Sequence, residues 1–339
     1  MSAQTAGPET LGHLSEEPPA PDPTSKEAKA IAGKSPMQIA FGRLLKDKVA
    51  VVCGIVALFF VLIAVFAGVI ADMFGVSLDP GRPSQVLDFS TQLPKVGPPN
   101  HGFDPEHPFG IAPQTGADNL AHWLYGARTS LIIAGSATLV ASIVGVVTGL
   151  LAGFLGGIVD KVLSFVIDFF LTVPFLLAAL TIAPIINDRF ALSENYPTIQ
   201  RWSLIAILAI FGWMGLARLV RGEVLSLRER EFIQAARVIG MPTHRILIKE
   251  LLPNLAAPIV VSVSLTLPAF VALEAGLAFL GIGVTSGASW GQTVSDAVPW
   301  FDKYALYLWE PLLGIVLLVL SLNLLGDAIR DAMDPKTRR

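Results

Sequence analysis

Residues 231–254 read EFIQAARVIGMPTHRILIKELLPN, a polar, arginine-bearing loop set between two long apolar segments. Phe232, Ala235, Ala236 and Ile239 stand at i, i+3, i+4 and i+7, which makes one narrow apolar face on a short helix starting near Glu231. Arg228, Arg230 and Arg237 fall off that stripe. Gly240 is placed to end the helix through a left-handed residue. Pro242 suits the first turn of a second helix, where its missing N–H has no partner to lose. That second helix is expected over 243–252, with Pro253 breaking the chain before it re-enters the apolar phase. The product is a compact knob of two short helices, with Ala235 and Ala236 small enough to admit a partner surface closely. The spacing fits two readings equally: a knob gripped by another protein, or an interfacial helix lying on lipid headgroups.

Working outward, the rest of the chain is apolar. Of 339 residues, 53% are hydrophobic and 15% charged, and the mean hydropathy is +0.62. A soluble domain carries roughly a quarter charged residues, so this composition excludes an ordinary soluble protein and points to a multi-pass membrane chain. Crossing ~30 Å of hydrocarbon takes about 20 residues in a helix. Six segments qualify: 49–71, 129–159, 162–186, 202–217, 255–284 and 311–329. The expected fold is an all-α membrane protein with six transmembrane helices. Pro174, Pro184 and Pro268 each remove a helical hydrogen bond and permit a kink.

Charge placement orients these spans. With the amino terminus inside, eighteen of the 24 lysines and arginines fall on the cytoplasmic side, which puts both termini in the cytoplasm. Residues 1–48 then form a cytoplasmic tail, Pro-rich and expected to be disordered. Nothing in it reads as a cleavable signal peptide. Its AKAIAGKS stretch at 28–35 satisfies a relaxed phosphate-loop pattern, but PPAPDPTSKE before it cannot supply the strand such a loop needs. Residues 72–128 form an extracytoplasmic loop with no amphipathic period before 118–128, readable as a lid, a docking surface or disorder. Residues 129–329 form a five-helix core interrupted by the cytoplasmic loop 223–254, and 330–339 a second short cytoplasmic tail.

Within the spans, Gly145, Gly149 and Gly153 repeat every four residues and allow two helices to approach closely, inside the subunit or between subunits. Asp168 lies about two turns from the cytoplasmic end of its span, placed to snorkel or to pair with an arginine. Glu274 is deeper, facing a translocation pathway or holding an interhelical hydrogen bond. The lone Cys53 reads as a small apolar-face residue, and five scattered histidines show no metal-ligand spacing. No paired catalytic groups suit an intramembrane enzyme, and no nucleic-acid partner is expected. Two intramembrane acids without an inverted repeat are thin support for a secondary transporter.

The 231–254 loop resembles the EAA loop of binding-protein-dependent ABC importer permeases, through Gln234-Ala235-Ala236, Gly240 and Leu252-Pro253, with Gln234 where that family carries a glutamate. The resemblance runs from about residue 107 to 335 through HPFG at 107–110, LYGARTSL at 124–131, ARLVRGEVL at 217–225, EAGLAFLG at 274–281, SWG at 289–291 and NLLGD at 323–327. It is similar to the C-type subunit of the dipeptide/oligopeptide branch. After Gly110 it departs: a longer stretch leads to Gly116-Ala117-Asp118, with Ala117 where the family has arginine. The resemblance implies a type I importer permease fold in a bacterial plasma membrane and a non-catalytic subunit that binds no cofactor. It implies a homologous second permease, two ABC ATPases carrying ATP and magnesium, and an extracytoplasmic peptide-binding protein as partners. It also implies that Arg228, Glu231, Gln234, Ala235, Ala236, Gly240 and Pro253 couple the chain to its ATPase. Related permeases carry short peptides, nickel chelates or glutathione.

Overall fold

The structure, a computed structural model, describes residues 36–79, 83–98, 101–284 and 287–334. Residues 1–35, including the phosphate-loop-like stretch, lie outside the described residues. Among the described residues, five helical spans are long and apolar enough to cross a membrane: Lys48–Phe74, Asn119–Leu155, Tyr196–Leu227, Ala256–Ile282 and Ala305–Met333. A sixth is formed only if Gly157–Thr172 and Phe175–Phe190 count together, and these two are bent by 84°.

The described residues open with α1 (Pro36–Leu44), so that part of the tail expected to be disordered through residue 48 is helical. The Arg43 guanidinium donates to the carbonyls of Ala332 and Asp334, both at 3.4 Å, which brings the two ends of the described chain to one end of the bundle. The first span, α2 (Lys48–Phe74), starts at Asp47, whose carboxylate accepts from Val49 and Ala50 N–H, and stops at Gly75 in the left-handed conformation. The second, α3 (Asn119–Leu155), begins ten residues before the expected 129 because Asp118 caps it through Ala121 N–H. The loop before it is folded rather than disordered over its described residues. Asn119 Nδ2 donates to the Phe109 carbonyl at 3.1 Å, and the Tyr304 hydroxyl donates to the Pro98 carbonyl at 2.9 Å.

The third expected span is corrected. It divides into α4 (Gly157–Thr172) and α5 (Phe175–Phe190), with Val173 extended at φ −78°, ψ 119°. Proline crowds the residue before it out of the helical region, and the chain turns there. Pro184 and Pro268 stay inside continuous helices, so of the three prolines only Pro174 breaks one. The remaining helices of eight residues or more are α6 (Tyr196–Ile210), α7 (Met214–Leu227), α8 (Glu231–Val238), α9 (Ala256–Leu277), α10 (Trp290–Ala297) and α11 (Ala305–Met333). A wider helical turn, Ala278–Ile282, prolongs α9 until Gly281 leaves the helix at φ +81°.

The glycine repeat is internal. A Cβ on Gly145 would stand 2.8 Å from the Trp213 carbonyl, one on Gly149 2.6 Å from the Ala217 carbonyl, and one on Gly153 2.8 Å from Val224 Cβ. Glycine at these three positions therefore lets α3 and α7 pack backbone to backbone. At the loop end Trp290, fully buried, donates its indole N–H to the Trp123 carbonyl at 2.9 Å and joins Phe60 and Trp123 in an aromatic cluster. The outward faces carry bulky apolar side chains such as Leu58, Phe59, Leu62 and Phe66 on α2, surface that only acyl chains or another apolar subunit can cover.

Candidate functional site: the 231–254 hairpin

The hairpin sits at the end of the bundle where α3 and α7 finish. Its first limb, α8, places Glu231 in the first turn and Arg237 in the last, in keeping with the helix dipole. Gln234 folds back, its Nε2 donating to the Glu229 carbonyl at 3.1 Å. Gly240 has φ +76°, as the sequence requires of a terminating glycine. Met241 N–H reaches the Ala236 carbonyl at 3.0 Å and Gly240 N–H the Arg237 carbonyl at 3.0 Å, a Schellman ending. Pro242 immediately precedes the second limb instead of lying in its first turn. That limb runs Thr243–Arg245, then a wider turn Ile246–Leu251, then Leu252–Asn254. Pro253 sits in the first turn of the last piece and does not break the chain. Leu252 N–H bonds five residues back to Leu247 rather than four, and the extra residue in that turn carries the limb through to the proline.

Of the four residues on the expected apolar face, three are open to a partner and Ala236 alone turns inward. Ile233 is fully buried and Ala236 nearly so, while Phe232, Ala235 and Ile239 are exposed. Ile233 and Ala236 join Ile246, Leu251 and Leu255 in a small core continuous with Leu150 and Phe154 of α3 and Val220 and Val224 of α7. Ala236 therefore packs inside this chain. A partner would instead meet Ala235 beside Phe232, Val238 and Ile239, of which Val238 is 88% and Ile239 75% exposed. Those side chains have little reason to face water unless something covers them.

Two arginines fasten the hairpin to α3. Arg228 Nη1 donates to the Gly153 carbonyl at 3.1 Å, close to where α3 ends. Its Nε reaches Glu229 at 3.0 Å, so this side chain is engaged within its own subunit. The Arg237 guanidinium lies over the Phe154 ring, 4.8 Å from its centroid. Ile233 and Ala236, seated in the common core, add packing between α8 and the last turn of α3. The contribution of Phe154 escaped the sequence reading, since nothing local couples it to residues more than 80 positions on.

The other acidic candidates are both engaged. Asp168 pairs with Arg218 at 2.6 Å, well exposed on both sides. A second pair between the same helices, Arg221 with Asp160, is bidentate at 2.5 and 2.9 Å and joins α4 to α7. Glu274 is fully buried, and its Oε1 accepts from the Ser289 hydroxyl at 3.0 Å. Among the described residues no group of three or more histidine, cysteine or acidic side chains could hold a metal ion.

The sequence comparisons agree with this architecture. The family described as binding-protein-dependent transport system inner membrane component matches residues 145–339, and the N-terminal TM domain of oligopeptide transport permease C matches residues 35–85. The dipeptide transport system permease protein DppC of Alkalihalophilus pseudofirmus is 34% identical over 96% of this chain and 97% of its own length. DppC of Bacillus subtilis is 32% identical over 89% of this chain and 86% of its own. The oligopeptide transport system permease protein OppC of Bacillus subtilis is 30% identical over 88% of each chain. A solved structure of the MetNI methionine ABC transporter aligns over 63% of this chain and 96% of that one with a TM-score of 0.48 at 20% identity, too distant to carry an argument. The chain belongs to the inner membrane components of binding-protein-dependent transport systems.

Proposed function

We propose that this chain is the permease subunit of an ATP-driven importer of short peptides in a bacterial plasma membrane. It pairs with a homologous permease to form the channel, and two cytoplasmic ATPases drive the pair. An extracytoplasmic binding protein delivers the cargo. Support comes from the family, from relatives that are dipeptide and oligopeptide permeases, and above all from the hairpin, whose exposed apolar tip is rigidly tied to the bundle. The six-span type I arrangement counts α4 and α5 as one broken span, and the charge bias then places the hairpin in the cytoplasm.

Mechanically, α8 seats on an ATPase with Phe232, Ala235, Val238 and Ile239 at the contact. Closure of the ATPases on ATP moves the hairpin as a rigid body. Arg228, Arg237 and the shared core carry that motion to α3, and the glycine-packed α7 follows. The equilibrium between inward-open and outward-open states is thus biased by a nucleotide bound to another polypeptide. The chain itself performs no chemistry. Asp168 pairs with Arg218, and Glu274 is buried with one carboxylate oxygen on Ser289, so two isolated acids remain thin support for the ion coupling of a secondary transporter. Reconstitution of both permeases, the ATPases and the binding protein in proteoliposomes tests this. Labelled dipeptide should accumulate only with ATP, and accumulation by this chain alone would refute it.

A further inference from the structure

Arg128 is the charge in the LYGARTSL block that the coupling mechanism does not use. It lies nine residues into α3, two positions before the buried Ser130 and on the other side of the helix. Among the described residues it makes no ion pair, hydrogen bond or ring contact. Instead it borders a groove of about 490 Å³ lined by Val61, Ala64 and Val65 of α2, Leu131 and Ile132 of α3, and Leu267 of α9. That volume falls within the roughly 300–1,000 Å³ of small-molecule sites. Apart from the guanidinium, the walls offer dispersion contacts only.

Arg128 is exposed and stands just before the apolar run of α3 that starts at residue 129, the position of an interfacial guanidinium that meets an anion when α3 spans a bilayer. Its five N–H donors in a planar fork suit a phosphate or carboxylate. The groove supplies the rest of an amphiphile's requirements, an apolar trough leading away from a single positive charge. Its rim determines the source. Val61, Val65 and Ile132 are 44%, 64% and 40% exposed, and they are continuous with Leu58, Phe59, Leu62 and Phe66 on the outer surface of α2. Surface of that kind faces acyl chains when α2 spans a bilayer with no second subunit seated on it, and a groove occupied by the partner permease would retain no lipid in the test below.

We propose that the groove between α2, α3 and α9 holds an anionic phospholipid, its headgroup phosphate on Arg128 and an acyl chain along Val61, Val65 and Leu267. This requires that α2 and α3 span the membrane, and it is independent of the cargo the importer carries. The complete importer, purified in mild detergent, is equilibrated with mixed phosphatidylglycerol and phosphatidylcholine, and retained lipid is counted by native mass spectrometry. The wild-type complex should retain phosphatidylglycerol preferentially. R128Q should lose about tenfold of it, and V65W, which fills the trough with the arginine intact, should lose it too. Phosphatidylglycerol retained by R128Q at the wild-type level, or phosphatidylcholine retained equally by the wild type, overturns the proposal. So does an R128Q complex that keeps its lipid but shows a raised KM for free-acid peptides and not for amidated ones, which would make the groove a cargo site. Should R128Q fail to assemble, V65W decides alone: lipid lost supports the assignment and lipid kept refutes it.

Discussion

Removing the latch between the hairpin and α3 should uncouple hydrolysis from transport. The double variant Arg228→Ala/Arg237→Ala deletes a charge-assisted hydrogen bond to the Gly153 carbonyl at 3.1 Å and a cation–ring contact at 4.8 Å. A hydrogen bond from a charged donor contributes about 1.5–3 kcal/mol when sheltered, and about half that here, since the Arg228 side chain is 31% exposed. The ring contact, made by an exposed arginine, adds about 0.5–1 kcal/mol. Together the latch is worth about 2 kcal/mol, a factor of roughly 30 in the ratio of docked to slipping hairpins. The hairpin itself should still fold, because Ile233, Ala236 and Leu251 keep their core. Reconstituted importer containing the double variant should hydrolyse ATP at a rate near that of the wild type while transporting several-fold less peptide per ATP. Measuring phosphate release and peptide uptake on the same vesicles gives that ratio directly. An unchanged ratio in an assembled complex would refute the latch and leave the covalent links to α7 and α9 as the route for force.

Two further substitutions probe the elements on which that route depends. Gly149→Ala places a methyl 2.6 Å from the Ala217 carbonyl, costing about 1–3 kcal/mol of overpacking against about 0.5–1 kcal/mol gained by removing glycine from a helix interior. Thermal melting in detergent should fall for Gly149→Ala but hold or rise for Gly54→Ala, where nothing lies within 4 Å of the new methyl. Gly240→Val has space for its side chain but must hold φ near +76°, which costs a β-branched residue about 1–2 kcal/mol or more. It should lower uptake without lowering expression; intact uptake with intact ATPase stimulation would remove the left-handed ending from the mechanism.

Local signals were readable in the sequence and non-local ones only in outline: Asp168 was placed to pair with an arginine, but nothing singled out Arg218, 50 residues on. Gly240 and the short helix before it follow from residues within a few positions of each other, and the structure reproduces both. Which side of that helix faces inward depends on what it packs against. An eight-residue helix with apolar side chains at 232, 233, 235, 236 and 238, and Ile239 capping it, offers two adjacent faces, and the position of Phe154 decides for Ile233 and Ala236. The glycine repeat announced a close helix contact, while the identity of the other helix rested on α7, more than 60 residues away. Pro174 and Pro184 look alike in sequence. The chain turns at the first, where Val173 becomes extended, and runs straight through the second. Arg221 and Asp160, 61 residues apart, carried no sequence mark of their pairing.

The proposed contact between α8 and an ATPase is tested most directly by site-specific crosslinking from Val238, the most exposed apolar side chain on that helix. With Val238→Cys in the assembled importer and a short bifunctional thiol reagent, the account predicts a crosslink to an ATPase subunit carrying a cysteine in its docking groove, with a yield that changes between the ATP-bound and nucleotide-free states. Labelling of the introduced thiol by a headgroup-level lipid probe, with no ATPase adduct in either state, would contradict it and leave the helix lying on the membrane surface.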